Sequence, residues 1–171
     1  AHLANAGIPS LLLDIAPKEL TPDEEKKGLT LESPQVRNRI VNSLFEAAKK
    51  LKPAPFMLAD NAMLIKTGNF TDDIGKLKDC DLVIEAVVEN LEIKHRLFAE
   101  VEKNRKPGAV VASNTSGIPI DSIAEPFSDD FKKHFVGIHF FNPPRYMKLV
   151  EVIPVSKTSG EIACAVSGFL D

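Results

Sequence analysis

His139 lies in the run Gly137-Ile138-His139-Phe140-Phe141-Asn142-Pro143-Pro144, at the end of an apolar stretch that begins at Phe135. An imidazole at the end of a buried strand is suited to moving a proton near neutral pH. Further along, Glu151 interrupts the apolar residues Leu149, Val150, Val152 and Ile153. A carboxylate inside such a run is unfavourable unless it has a partner, and an adjacent strand can offer it His139. That pairing would fix the imidazole tautomer and make His139 a general base. An alternative stays open at this level: an edge strand that turns Glu151 to water, with His139 satisfied by a backbone carbonyl. Ser116, which follows Asn114-Thr115, and Asn142, three residues after His139, can each donate a hydrogen bond to a substrate oxygen near the base. Turns use Ser and Asn for the same donors, so neither decides the matter alone.

Asp14 closes the short apolar run Leu11-Leu12-Leu13. A carboxylate at such a strand end is where dinucleotide-binding folds hold a ribose hydroxyl pair, and its charge favours NAD over the 2′-phosphorylated form. A solvated turn accounts for the same residue. The Gly-x-Gly-x-x-Gly turn that should precede Asp14 is absent from the sequence. His2, His95 and His134 read as surface residues. Metal-ligand spacing and a Gly-x-Ser-x-Gly nucleophile turn are both absent from the sequence.

The elements that must position these residues alternate. Short apolar runs at 11–13, 63–65, 82–86, 109–112, 135–140 and 149–153 predict strands. Helical patterns are expected at 1–6, closed by Gly7, at 33–52 through Val36, Ile40, Leu44, Ala48 and Leu51, and at 93–104 through Ile93, Leu97 and Val101. A short helix is expected at 120–124, and a last one from Thr158 with Glu161 completing a capping box. Residues 18–31 are polar and read as an exposed insertion. Runs of three to five apolar residues separated by helices predict an α/β fold, a Rossmann-like doubly wound and mostly parallel sheet with ligands at the strand C-terminal ends.

Composition narrows the function classes. With 44% hydrophobic and 26% charged residues over 171 positions, the chain can bury a core, which excludes a disordered or fibrous protein. A net charge of -3 leaves no electrostatic footprint for nucleic acid or an anionic membrane. Cys80 and Cys164 lack Cys-x-x-Cys spacing and fit free thiols in a reducing, cytoplasmic setting. Both ends fall inside helical patterns, so the chain reads as a fragment of a longer polypeptide.

The segments Asp-Leu-Val-Ile-Glu-Ala-Val-Val-Glu-Asn (81–90), Ala-Ser-Asn-Thr-Ser (112–116), Gly-Ile-His-Phe-Phe-Asn-Pro-Pro (137–144) and Met-Lys-Leu-Val-Glu-Val-Ile (147–153) resemble the L-3-hydroxyacyl-CoA dehydrogenases, in that family's order and spacing. The insertion and helix between Lys18 and Lys52 are similar to the long version found in bacterial β-oxidation enzymes. The resemblance runs over residues 1–171 and implies an NAD-binding domain. It makes His139 the catalytic base and Glu151 the residue that orients it. Ser116 would bind the reacting oxygen, and Asn142 the nicotinamide or the substrate carbonyl. Asp14 would hold the adenine ribose, while Glu89 and Lys94 would border the dinucleotide groove.

The implied reaction is NAD-dependent oxidation of (3S)-hydroxyacyl-CoA to 3-oxoacyl-CoA. The parent would be a homodimer or part of a multifunctional β-oxidation enzyme, with no nucleic-acid or membrane partner. The glycine loop, the first strand and the family's helical C-terminal substrate and dimerisation domain are absent from this sequence, so the fragment alone is expected to be inactive. Its sheet would be completed by direct pairing of the neighbouring strands or by a strand from another chain. Alternatives are a 3-hydroxybutyryl-CoA or free hydroxy-acid dehydrogenase of the same fold, a non-catalytic assembly module, or a nucleotide-responsive regulatory module built on Asp14 and Glu89.

Overall fold

The computed structural model describes residues 1–171, which divide into two compact units, Ala1–Ile74 and Gly75–Asp171. In the first, α1 (His2–Asn5) ends before Gly7, whose φ of 79° lies in the left-handed region that glycine enters without steric penalty. Strand β1 (Ser10–Asp14) then pairs in parallel with β2 (Ile65–Asn69), so that Asp14 stands opposite Asn69 at the C-terminal end of both. Between them run α2 (Pro22–Lys26), α3 (Pro34–Arg37), α4 (Arg39–Lys49) and a 3₁₀ segment, Ala59–Leu64. Helix α5 (Phe70–Asp73) follows β2.

Three expectations for this unit are corrected. The strand expected at 63–65 begins only at Ile65, because the residues before it close the 3₁₀ segment. The single helix expected over 33–52 is broken at Asn38, at φ -103° and ψ 11°, where Asn38 Oδ1 accepts from Asn69 Nδ2 at 2.9 Å. The break re-phases the apolar stripe, so Val36 and Val41 are buried while Leu44 and Leu51 are exposed. The polar stretch 18–31 contains α2, held by a reciprocal capping box in which Thr21 N donates to Glu24 Oε2 at 2.7 Å and Glu24 N to Thr21 Oγ1 at 3.3 Å. No apolar period announces that helix.

The second unit contains β3 (Leu82–Glu85), α6 (Leu91–Asn104), β4 (Val110–Ser113), α7 (Ile120–Ala124), α8 (Asp129–Lys133), β5 (Phe135–Phe140), β6 (Val150–Pro154) and α9 (Gly160–Leu170). Its sheet has the order β3-β4-β5-β6, parallel through β5 and antiparallel at the edge strand β6. Val111, Ala112, Val136 and Ile138 are fully buried in the two central strands. Phe98 of α6 packs edge-on against Phe127, Phe131 and Phe135, with ring centroids 6.2, 5.8 and 5.3 Å away. A separate cluster joins Ala112, Val136 and Ile138 to Val166 of α9.

The capping box expected at Thr158 does not form. Its hydroxyl donates to the Phe135 carbonyl at 2.6 Å and accepts from Val155 N at 2.8 Å, tying the turn after β6 to β5, and Ser159 is the N-cap instead. The α/β character and the parallel strands are as expected, but the six strands form two sheets, β1-β2 and β3-β4-β5-β6. Direct pairing of β1 with β3 therefore does not complete a single sheet. No helix is long and apolar enough to cross a membrane.

Candidate active site

The parallel strands β3, β4 and β5 end at Glu85, Ser113 and Phe140, and open α/β sheets hold ligands in the loops beyond such ends. His139 is the penultimate residue of β5 and stands directly opposite Glu151 in the antiparallel register. Its Nδ1 lies 2.7 Å from Glu151 Oε2. Glu151 is acceptor-only when ionised, so Nδ1 carries the proton and donates, which leaves Nε2 as the free acceptor of the neutral ring. The imidazole is largely covered and rests against Phe141, with ring centroids 4.7 Å apart.

The pairing expected from sequence is present, but its cause differs. Glu151 is half-exposed on an edge strand and is not a core carboxylate in need of rescue. The β5–β6 register alone brings the two side chains together.

Ser116 sits in the loop after β4, exposed, with its hydroxyl engaged by nothing within the chain. The backbone of that loop is held by Glu89. One carboxylate oxygen, Oε1, accepts from the Thr115 hydroxyl and from the backbone N–H groups of Ser116, Gly117 and Ile118, the last three at 3.1, 3.0 and 3.4 Å. The Thr115 hydroxyl bond, the Gly117 amide and Lys94 hold the Glu89 carboxyl down at about 2, against a smaller opposing effect of desolvation.

Lys94 occupies the first turn of α6, which Asn90 caps by accepting from Ile93 N at 3.0 Å. It is turned inward, 1% exposed, and its ammonium meets Glu85 at 2.8 and 2.9 Å and Glu89 at 3.3 Å. The structure therefore joins Glu89 to Lys94 and to the Ser116 loop, as it joins His139 to Glu151. Asn142 is exposed on the segment after β5. Asp14 ends β1 in the first unit; its Oδ1 accepts from Ile15 N at 2.7 Å, and its other oxygen remains open to an outside donor. That open carboxylate oxygen fits a ribose hydroxyl, and the free Ser116 and Asn142 donors fit a polar ring substituent.

Sequence reasoning overlooks Glu85, Ser113, Thr115 and Asn114. Asn114 Oδ1 accepts from Phe140 N at 3.0 Å, and its own N–H donates to the Glu85 carbonyl at 2.8 Å, stitching together the ends of β3, β4 and β5. A signal for Glu85 does exist: it ends the apolar run Leu82-Val83-Ile84 and has a lysine early in the next helix.

The 3-hydroxyacyl-CoA dehydrogenase, NAD binding domain, family matches over residues 1–171. The chain belongs to that family. NAD is accordingly the cofactor of the domain. A probable 3-hydroxyacyl-CoA dehydrogenase of Bacillus subtilis is 53% identical over 169 residues, covering 99% of this chain and 21% of the relative. A putative fatty acid oxidation complex trifunctional enzyme of Rickettsia felis is 41% identical, covering 99% of this chain and 22% of that protein. The crystal structure of (S)-3-hydroxybutyryl-CoA dehydrogenase PaaH1 from Ralstonia eutropha superposes with a TM-score of 0.66 at 27% identity, covering 98% of this chain and 53% of that one. The chain thus spans about a fifth of the length of these two curated relatives and about half of that solved structure.

Proposed function

We propose that the polypeptide to which this domain belongs oxidises (3S)-3-hydroxyacyl-CoA to 3-oxoacyl-CoA in fatty-acid β-oxidation, with His139 as general base. The observation that carries this reading is the hydrogen bond between His139 Nδ1 and Glu151 Oε2, 2.7 Å long, at the mouth of the β3–β6 sheet. With Nδ1–H committed to Glu151, Nε2 takes the proton of the 3-hydroxyl. Glu151 keeps the ring oriented and offsets the imidazolium charge that forms. The Ser116 hydroxyl donates to the reacting oxygen and steadies it as the C–O bond gains double-bond character.

Asp14 would hold the adenine ribose. Glu89 would border the dinucleotide groove with Lys94 buried behind it, and Asn142 would support the nicotinamide or the substrate carbonyl. NAD, when bound, supplies the acceptor for the hydride that leaves C3. The reading includes a cytoplasmic setting, which fits the free thiols of Cys80 and Cys164, and a parent that is a homodimer or one part of a multifunctional enzyme. A substrate and dimerisation domain outside these 171 residues would complete it.

The test is NADH formation from 3-hydroxybutyryl-CoA and from a long-chain homologue, measured on this chain, on the full-length protein and on the full-length His139→Gln variant. Turnover by the full-length protein, abolished by the substitution and absent from the 171 residues alone, is the expected result. A full-length protein that folds and binds NAD yet turns over neither substrate overturns the reading. The ratio between the two substrates assigns the chain-length class.

A further inference from the structure

A line of polar groups leads from the end of β3 to the loop that carries Ser116. Glu85 is 4% exposed. Its Oε1 accepts from Val87 N at 2.6 Å and from Lys94 Nζ at 2.8 Å; its Oε2 accepts from Ser113 Oγ at 2.6 Å and from the same ammonium at 2.9 Å. Lys94 is as deeply buried and has Glu89 as its second carboxylate, at 3.3 Å. Glu89 fills the cradle formed by Thr115 Oγ1 and three successive backbone N–H groups.

Charge and burial decide which member anchors the others. Lys94 cannot leave Glu85 without stranding a buried carboxylate, so the ammonium is fixed in place. Glu89 has a 41% exposed side chain, which in isolation would be hydrated and free to change rotamer. It is the immobile ammonium on one oxygen that leaves the other aimed at the loop. Successive N–H groups turned toward one point form a concavity for an anion, and here the chain supplies that anion itself.

We propose that Glu85 is a positioning residue for Ser116: through Lys94 it seats Glu89 in the amide cradle of residues 115–118 and so holds the Ser116 hydroxyl where the substrate oxygen must lie. The part that concerns substrate rests on the dehydrogenase reading above, and the seating of the cradle does not.

The deciding variant is the double substitution Glu85→Gln/Lys94→Met. It buries no unpaired charge, because the new amide can accept from Val87 N and donate to Ser113 Oγ while the thioether fills the volume of the lysine stem. Amide hydrogen exchange is read residue by residue in the full-length protein. The expected result is exchange about tenfold faster or more at Ser116, Gly117 and Ile118, with the strand amides of Ala112 and Ile138 as well protected as before. Unchanged exchange at those three amides overturns the proposal.

Should the double variant lose strand protection, Glu85→Asp decides, since it retains the buried charge and draws the ammonium back from Glu89. The same acceleration at residues 116–118 is expected there, with kcat about tenfold lower at an unchanged melting transition. Wild-type exchange and wild-type kcat in that variant overturn the proposal. Failure of the dehydrogenase reading shows separately, as a wild-type protein inactive on hydroxyacyl-CoA whatever the exchange rates are.

Discussion

His139 and Glu151 are direct cross-strand partners, one on the last parallel strand and the other on its antiparallel edge, with Nδ1 2.7 Å from Oε2. Exchanging the carboxylate for an amide separates orientation from charge. In Glu151→Gln the side-chain oxygen can still accept from Nδ1, but with His139 as the proposed base the imidazolium formed on proton abstraction would lose its counter-charge. A fall in kcat of about 10²- to 10⁴-fold is expected, with little change in the KM for NAD. Steady-state kinetics on the full-length protein measures this. A variant with wild-type kcat would remove Glu151 from the proton transfer.

The Glu89 carboxyl gives a signature in acid. Its pKa in the folded chain is lowered from the ordinary 4.5 to about 2, first by the Thr115 hydroxyl and then by the Gly117 amide and Lys94. A group whose folded-state pKa is depressed contributes stability that is fully present above the unfolded value and disappears as pH falls through the folded one. Unfolding free energy should therefore decline between about pH 5 and pH 2 more steeply in the wild type than in Glu89→Gln, which has no proton to gain. Urea titrations at several pH values compare the two slopes. Parallel slopes would mean that the cradle does not bind the ionised carboxylate more tightly than the protonated acid.

Gly137, two residues before His139, is required by close packing, not by an unusual backbone angle. A Cβ built there would lie 2.8 Å from Ile120 Cδ1 and 3.1 Å from Ile153 Cβ, so α7 and β6 both crowd it. Gly137→Ala should destabilise the fold by about 1–3 kcal/mol, the usual range for overpacking. Adding Ile120→Val, which deletes the nearer methyl, should recover part of that loss. Thermal unfolding of the single and double variants checks both statements, and a harmless Gly137→Ala would show that Ile120 moves aside freely.

Much of this arrangement is legible in the order of residues along the chain. The strand 135–140 and the pairing of His139 with Glu151 can be read because an imidazole and a carboxylate break apolar runs that otherwise follow a simple strand pattern. Local polarity does not reveal whether Glu151 is buried, because a run of Val and Ile reads alike in a central strand and at an edge. Helix α2 is hidden because its stability comes from the Thr21–Glu24 cap and not from an apolar period. Lys94 reads as a groove-facing cation, and the structure turns it inward, for a related reason. Its inward turn depends on Glu85, and the contact between them depends on how α6 folds back over β3. Pairs brought together by register or crossover are geometric consequences that no single window of sequence contains.

Asn114 is such a consequence, and it permits a test with an internal control. Its side-chain oxygen accepts the Phe140 N–H at 3.0 Å, so the residue two before Ser116 ties that loop to the residue after His139. Asn114→Ala leaves the Phe140 N–H without its acceptor next to His139, the proposed base, and kcat should fall about tenfold, the expected consequence of a small misplacement. Asn114→Asp retains an acceptor oxygen in the same place and should restore most of that loss, which simple removal of bulk would not predict. Kinetics on both variants, with melting curves to show that each is folded, decide the point. If Ala and Asp behave alike, the bond to Phe140 is incidental to turnover.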